Sequence, residues 1–242
     1  MANHSTDKLA VLIDADNAQA SIIRELLKEV SRYGTANIKR AYGDWTTPNL
    51  KGWKEVLHEM AIQPIQQFSY TSGKNATDSS MIIDAMDLLH IGHLDGFCLV
   101  SSDSDFTRLA TRIREAGLTV FGFGQRKTPQ AFVAACDKFI YTEILEPQPE
   151  ADTGVAQIDS EPIEAMIRTA ITATAKDNGW APLSAVGGML VKNSPSFDSR
   201  NYGFSKLGEL VRNQAYLEIK EVSIGDGASN THIYVRLVAK AA

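Results

Sequence analysis

Two short acidic motifs stand directly after apolar runs in this chain of 242 residues. The run LAVLI leads into Asp14, and the run GFCLV is followed within a few residues by Asp103 and Asp105. Clustered carboxylates repel one another, and a hard divalent cation such as Mg²⁺ or Mn²⁺ relieves that repulsion through oxygen ligands. Such a cation can support phosphodiester hydrolysis. These acids are therefore candidate metal ligands and catalytic residues.

Other polar residues stand near the same or neighbouring segments. Asn17 and Ser102 lie beside the two acidic motifs, Asp78 opens a helical pattern, and Asp44 follows the strand-like segment ANIKRAYG. Asp, Asn and Ser are also preferred N-cap residues, so helix capping explains any one of them taken alone. Capping explains only part of a pattern in which acids follow two separate apolar strands, so a shared site is favoured. For Asp44 both interpretations stay open.

The elements that must position these residues alternate between strand-like and helix-like patterns. Near-continuous apolar segments are separated by amphipathic ones such as AQASIIRELLKEVSRYG, whose apolar residues have helical spacing. This alternation predicts an α/β fold, with a parallel sheet covered by helices on both faces in three layers. In such sheets ligands bind beyond the carboxyl ends of the strands, where the acids stand. On the helix that follows Asp78, Asp84 and Asp87 are interpreted as a solvated face.

A change of composition divides the chain. Residues 1–145 form the predicted sheet domain, residues 146–162 an acidic, Pro-containing linker, and residues 163–242 a second domain. The net charges of these segments are -2, -5 and +2 in turn. The second domain has three helical patterns followed by two alternating strands around a Gly/Asn-rich loop with Asp226, which predicts a small winged-helix (α+β) domain.

Composition and the remaining motifs exclude several classes of protein. The two cysteines, Cys98 and Cys136, lie in apolar segments and form no CxxC pair, which predicts a reduced, cytoplasmic protein. No apolar run approaches the ~18 residues of a membrane span. The run LAVLI is too short for the apolar region of a signal peptide and is followed by acids, so no signal peptide is expected. His90 and His93 have no cysteine or third histidine nearby in the sequence, so they give no support for a zinc site. The sequence does not fix an oligomeric state.

Two rival acidic folds fit less well. A haloacid-dehalogenase-like phosphatase also places DxD after its first strand, but it requires Thr or Val two positions after the second Asp, where this chain has Ala18. A response-regulator receiver requires an Asp at the end of its third strand, where this chain has QQFSYTSG.

Four segments resemble, in order, the NYN domains, which are relatives of PIN-type nucleases: VLIDADN, GKNATDSSMIIDAM, LVSSDSDFTRLATRIREAGLTVFGFG and ACDKFIY. The resemblance covers about residues 8–143 and implies a PIN-like fold with metal-dependent ribonuclease activity. It implies four acids as catalytic residues and metal ligands, with Asn17 beside the first: Asp14, Asp78, Asp103 and Asp105. The family often has Lys-Gly-Val-Asp before the helix acid, whereas Lys74 stands one residue farther from Asp78, so no role is assigned to it.

The segment from Gly179 to Val211 resembles the LOTUS domain, also called OST-HTH, most specifically in FDSRNYGF. That family implies binding of RNA or docking of a protein partner. Three basic residues on or before the third helix are candidates for RNA phosphate contacts: Arg200, Lys206 and Arg212. Three apolar or aromatic residues are interpreted as winged-helix core: Phe197, Tyr202 and Leu207.

The predicted function is a metal-dependent ribonuclease that hydrolyses RNA with Mg²⁺ or Mn²⁺. Arg126 and Lys127 follow the fifth strand at the edge that holds the acids and are candidate RNA-binding residues, with a solvated loop as the equal alternative. The second domain is expected to bind RNA or a protein partner. The alternative function is a non-cleaving RNA-binding or adaptor protein that retains the nuclease fold and its acids.

Overall fold

The computed structural model describes residues 7–68, 76–146, 163–223 and 231–238. The chain divides into two compact units, Met1–Gln148 and Pro149–Ala242. Lys74, the linker from residue 147 onward and the loop with Asp226 lie outside the described residues.

The first unit contains one sheet of six parallel strands. They are β1 (Lys8–Asp14), β2 (Thr35–Gly43), β3 (Gln63–Gln66), β4 (Gly96–Val100), β5 (Thr119–Gly124) and β6 (Lys138–Tyr141). Their order in the sheet is β3-β2-β1-β4-β5-β6. The predicted parallel α/β fold is confirmed.

Helices cover both faces of this sheet, because alternate residues of the buried strands point into two separate cores. Leu9, Val11 and Ile13 face the core beneath α1 (Ile23–Val30) and α2 (Trp53–Glu59). Ala10 and Leu12 face the core beneath three further helices. These helices are α3 (Ala76–Ile91), α4 (Thr107–Glu115) and α5 (Gln130–Ala135). The three layers match the prediction.

The strand order creates an opening between β1 and β4 at the carboxyl edge of the sheet. These strands are hydrogen-bonded neighbours, but the chain leaves β1 towards α1 on one face and leaves β4 towards α4 on the other. Parallel sheets bind ligands at such a switch point, because the two connections diverge and leave a crevice. The two acidic motifs therefore meet at the place where the topology provides space.

A polar contact fixes α3 against the sheet. Asp84 accepts hydrogen bonds from the Arg40 guanidinium and the buried Tyr42 hydroxyl of β2. Because the Asp84 side chain is only 25% exposed, its interpretation as part of a solvated face is wrong. Asp87 is exposed, as predicted. The contact holds the helix that carries Asp78 in one orientation.

The second unit confirms the predicted winged helix. Its helices are α6 (Ile163–Thr174), α7 (Leu183–Asn193) and α8 (Leu207–Arg212), and its antiparallel strands are β7 (Ala181–Pro182), β8 (Leu217–Ser223) and β9 (Thr231–Leu237). Phe197 is buried and packs on Tyr202 with ring centroids 5.9 Å apart. Leu207 is partly buried against the same core. These residues are core, as interpreted.

Among the helices that the described ranges contain, none is long and apolar enough to span a lipid bilayer.

Candidate functional site

Three carboxylates meet at the carboxyl edge of the sheet. Asp78 lies in the first turn of α3, and Asp103 and Asp105 lie between β4 and α4. One oxygen from each lies within 4.8 Å of the others. Opposite ligands of a cation that binds oxygen at about 2.1 Å are separated by about 4.2 Å. The 4.8 Å limit is slightly longer than this separation, so a small rotation of the side chains would let the three acids hold one small divalent cation.

Asp14 lies beside this group but is not a member of it. One of its oxygens, Oδ2, accepts hydrogen bonds from the Asn17 side-chain amide at 2.7 Å and from the Ser101 hydroxyl at 2.8 Å. The other oxygen, Oδ1, is buried and has no hydrogen-bond partner among the described residues. Burial raises the pKa of this carboxyl group above its usual range. A buried oxygen without a partner is costly, and a bound cation would satisfy it.

Hydrogen bonds fix the loop after β4 to the end of β1 and to the helical turn that follows it. Ser101 donates to Asp14 and accepts a hydrogen bond from the Asp103 backbone N–H at 3.1 Å. Asp103 in turn accepts from the Asp105 backbone N–H at 2.9 Å, so one of its oxygens caps the following helical turn. Asp103 therefore caps the helical turn and also belongs to the acid group.

Ser102 supports the neighbouring loop after β5. Its hydroxyl accepts from the Gln125 backbone N–H at 2.9 Å. Ser101 is the serine that contacts the strand-one acid, and sequence reasoning missed it. A side chain at Gly124 would approach the Ser101 carbonyl oxygen to 2.6 Å, so glycine permits this close approach of the two strand ends.

Asp16 and Asp44 have structural contacts. Asp16 accepts a hydrogen bond from the Thr77 hydroxyl at 3.0 Å, which joins the end of β1 to the start of α3. Asp44 accepts from the Thr46 backbone and from the Gln66 side chain at 3.0 Å. It stabilises the turn after β2, and the acid group that meets at the sheet edge does not include it.

The acid group changes the acidity of Asp78. Burial and then the charges of Asp14, Asp103, Asp105 and Asp16 raise its pKa from 3.8 to about 6. Ionisation is unfavourable because each added negative charge is repelled by the others. Three features fit a hard divalent cation such as Mg²⁺ or Mn²⁺: the candidate ligands are all oxygens, the pKa of Asp78 is raised, and one buried oxygen of Asp14 has no hydrogen-bond partner within the described ranges.

This acidity makes metal binding pH-dependent. Because Asp78 must be ionised to bind a cation and its pKa is about 6, Mn²⁺ affinity is expected to fall about tenfold between pH 7 and pH 5. A carboxylate with the usual pKa would change little over that interval. Calorimetric titration of Mn²⁺ at several pH values measures the effect, and equal affinities at pH 5 and pH 7 would contradict it.

The raised pKa of Asp78 also determines how the stability of the metal-free fold changes with pH. A folded-state pKa that is raised stabilises the metal-free fold below about pH 4, and this contribution is lost as pH rises through 6. Asp78→Asn is therefore expected to remove this loss of stability between pH 4 and pH 6, as measured by thermal unfolding in EDTA.

The loop after β5 presents its cations at the same edge. Arg126 and Lys127 are exposed, and the Arg126 guanidinium carbon lies 5.9 Å from the centroid of the Tyr141 ring. The Arg126 backbone N–H donates to Glu143 at 2.8 Å. Because Gln125 contacts Ser102, this loop adjoins the acid-bearing loop.

The three basic residues proposed to contact RNA in the second unit differ in whether they already form ion pairs. The Arg200 guanidinium donates to both carboxylate oxygens of Asp198, at 2.9 Å and 2.8 Å, so the RNA contact predicted for Arg200 would require this ion pair to open. Arg212 donates to Glu221. Lys206 is exposed at the residue before α8 and remains a candidate.

Several solved structures resemble parts of this chain, and three of them are described here. A crystal structure of a protein of unknown function from Vibrio parahaemolyticus is 20% identical and covers 57% of this chain and 94% of that chain, with a TM-score of 0.48. A solution structure of an uncharacterized protein from Nitrosomonas europaea is 28% identical and covers 40% and 90%, with a TM-score of 0.32. A solution structure of part of a Chromobacterium violaceum protein is 43% identical and covers 33% and 83%, with a TM-score of 0.27.

No curated protein matches this chain. The NYN domain family matches residues 8–146, and the OST-HTH/LOTUS domain family matches residues 157–228. Both resemblances seen in the sequence are confirmed. The chain therefore belongs to the NYN domain family and carries an OST-HTH/LOTUS domain after its NYN domain.

Proposed function

We propose that the protein is a metal-dependent ribonuclease that hydrolyses RNA phosphodiester bonds at the acid group of its NYN domain. The observation that carries this proposal is the meeting of Asp78, Asp103 and Asp105 beside a buried oxygen of Asp14 that has no hydrogen-bond partner among the described residues. Membership of a family related to PIN-type nucleases supports it.

The chain's own residues have distinct roles in this proposal. Asp78, Asp103 and Asp105 would hold Mg²⁺ or Mn²⁺, and Asp14 would contribute the oxygen that has no hydrogen-bond partner among the described residues. When bound, the cation activates water and offsets the charge that develops on the phosphate. Asn17 and Ser101 fix the orientation of Asp14. Exposed cations in the loop after β5, Arg126 and Lys127, contact the RNA backbone near the cut.

Incubation of the purified chain with RNA of mixed sequence tests the proposal directly. Cleavage is expected with Mn²⁺ and not with EDTA. The alternative, a non-cleaving RNA-binding or adaptor protein, predicts RNA binding with intact RNA under both conditions. Circularised RNA in the same assay identifies internal cleavage, because it has no ends for an exonuclease.

The OST-HTH/LOTUS domain is proposed to hold RNA near the acid group. Because tethering raises the local concentration of a bound ligand, removal of the domain is expected to raise KM for long RNA by about tenfold or more. A fragment that ends at Gln148, where the first compact unit ends, should keep kcat on short RNA within about twofold. Steady-state kinetics on short and long RNA measure both effects.

Charge reversal at Lys206 distinguishes the two ligands of this domain. Lys206→Glu in the full chain should reproduce the KM increase if the domain binds RNA, since an exposed cation is replaced by an anion. Unchanged kinetics, together with a co-purifying protein that is lost on truncation, would instead identify a docking module for a protein partner.

A further inference from the structure

A groove runs between α3 and α4, on the face of the sheet that those helices cover. Its volume is about 510 Å³, within the range of about 300–1,000 Å³ that ligand sites occupy. Its lining is apolar on one side and charged on the other, and includes Ile82, Met86, Leu109, Arg108, Arg112 and Glu115.

The groove leads away from the acid group. Ile82 follows Asp78 by four residues on α3, and Arg108 follows Asp105 by three residues at the start of α4. Residues three or four apart lie one above the other on a helix surface. Both helices begin at the carboxyl edge of the sheet, so the groove starts beside the acids and continues one turn farther, to Met86 and Arg112.

The charged side of this groove suits an anionic strand. Arg108 is exposed and forms no ion pair within the parts of the chain that the structure describes. Arg112 pairs with Glu115 at 3.6 Å, but both side chains are more than half exposed, and exposed pairs are weak enough to be exchanged for a phosphate contact. The two arginines are four residues apart, or about 6 Å along the helix axis, comparable with the separation of neighbouring phosphates in an extended strand.

The opposite side of α3 has the reverse charge. The depression there is lined by Asp84 and Asp87, and Arg40, the one cation that lines it among the described residues, already has its guanidinium bound to Asp84. A phosphate backbone would be repelled on that side. The charges thus select the groove between α3 and α4.

We infer that this groove binds the single RNA strand on one side of the cut, with Arg108 and Arg112 contacting successive phosphates and with Ile82 and Met86 contacting the sugars or bases. This inference rests on the proposed ribonuclease function. It is distinct from the contact proposed for Arg126 and Lys127, which lie in the loop after β5 rather than on α4.

The test is binding of a labelled single-stranded RNA to the full chain, in an Asp103→Asn background that keeps the RNA intact. Arg108→Ala/Arg112→Ala is expected to weaken binding roughly 10- to 30-fold in 0.1 M salt, because each single-strand phosphate contact releases about 0.7 counterion. The slope of log affinity against log salt should flatten by about 1.4. Arg108→Lys/Arg112→Lys, which keeps the charges, should restore most of the affinity and slope.

A matched control is available on the other face of the sheet. Arg24 and Lys28 are exposed and four residues apart on α1, so Arg24→Ala/Lys28→Ala removes the same charge with the same spacing. If both double variants weaken RNA binding equally, the effect is one of net charge and the inference fails. Undetectable RNA binding by the parent chain would also overturn it.

Cleavage kinetics locate the bound strand and separate this inference from the proposed function. The substrates are RNAs with one cut site that are shortened stepwise on the 5′ or on the 3′ side of it. On long RNAs Arg108→Ala/Arg112→Ala should have a higher KM than wild type. This difference should disappear when the RNA on one particular side becomes too short to reach the groove, and it should persist when only the other side is shortened. A wild-type chain that cleaves while this variant keeps its KM and binding slope would overturn the inference alone. Absence of cleavage by wild type, with binding still reduced by the variant, would overturn the nuclease proposal and leave the groove as an RNA site.

Discussion

Asp103→Asn is expected to reduce RNA cleavage by roughly 10²- to 10⁴-fold, the range seen when one group that acts in a transition state is removed. The substitution replaces one carboxylate of the acid group by a neutral amide of nearly the same shape. The amide oxygen can still accept the hydrogen bond from the Asp105 backbone, so the helical cap is preserved. Cleavage rates with Mn²⁺ measure the effect.

The matched control lies at the other end of the same strand. Asp95 precedes β4, is exposed and accepts a hydrogen bond from the Lys8 backbone N–H, so Asp95→Asn removes the same charge far from the acid group. It should cleave at the wild-type rate. Asp103→Asn should fold, with the circular dichroism spectrum of wild type and a melting temperature within a few degrees of it. If Asp103→Asn cleaves RNA at the wild-type rate, Asp103 has no catalytic role and serves only as a helix cap.

Divalent cations are expected to stabilise the fold. At a Mn²⁺ concentration of about one hundred times Kd, the free energy of unfolding should rise by about 2.7 kcal/mol. For a unit of this size, that corresponds to an increase in Tm of roughly 6–10 °C. The physical reason is that a cation would bind only the folded acid group, where Asp78 has a raised pKa and Asp14 has a buried oxygen with no hydrogen-bond partner in the described part of the chain.

The double variant Asp14→Asn/Asp103→Asn should lose this stabilisation. In EDTA it is expected to melt at or above the wild-type temperature, since it removes a buried carboxylate and part of the mutual repulsion. Melting curves with and without Mn²⁺ measure both effects, and Asp95→Asn should respond to Mn²⁺ as wild type does. The same Mn²⁺ response in wild type and double variant would exclude Asp14 and Asp103 as ligands.

The sequence by itself determined the elements and the chemistry of this site. Five successive apolar residues before Asp14, and another five before Ser101, predicted buried parallel strands, because burial on both faces leaves no place for polar side chains. Chain direction then put the following acids at the carboxyl edge. Both features depend on residues that are close together in the sequence, so they can be predicted without knowing how distant segments pack.

Only the tertiary structure decided which of those residues touch. Strand order placed β1 beside β4, and the orientation of the loop after β4 turned Ser101 towards Asp14 and Ser102 towards Gln125. Asp84 belongs to a helix whose sequence allowed an exposed position, and it became an anchor because folding brought Arg40 and Tyr42 to it across more than 40 residues. Contacts between residues so far apart depend on how strands and helices pack, which the spacing of residues along the chain does not record.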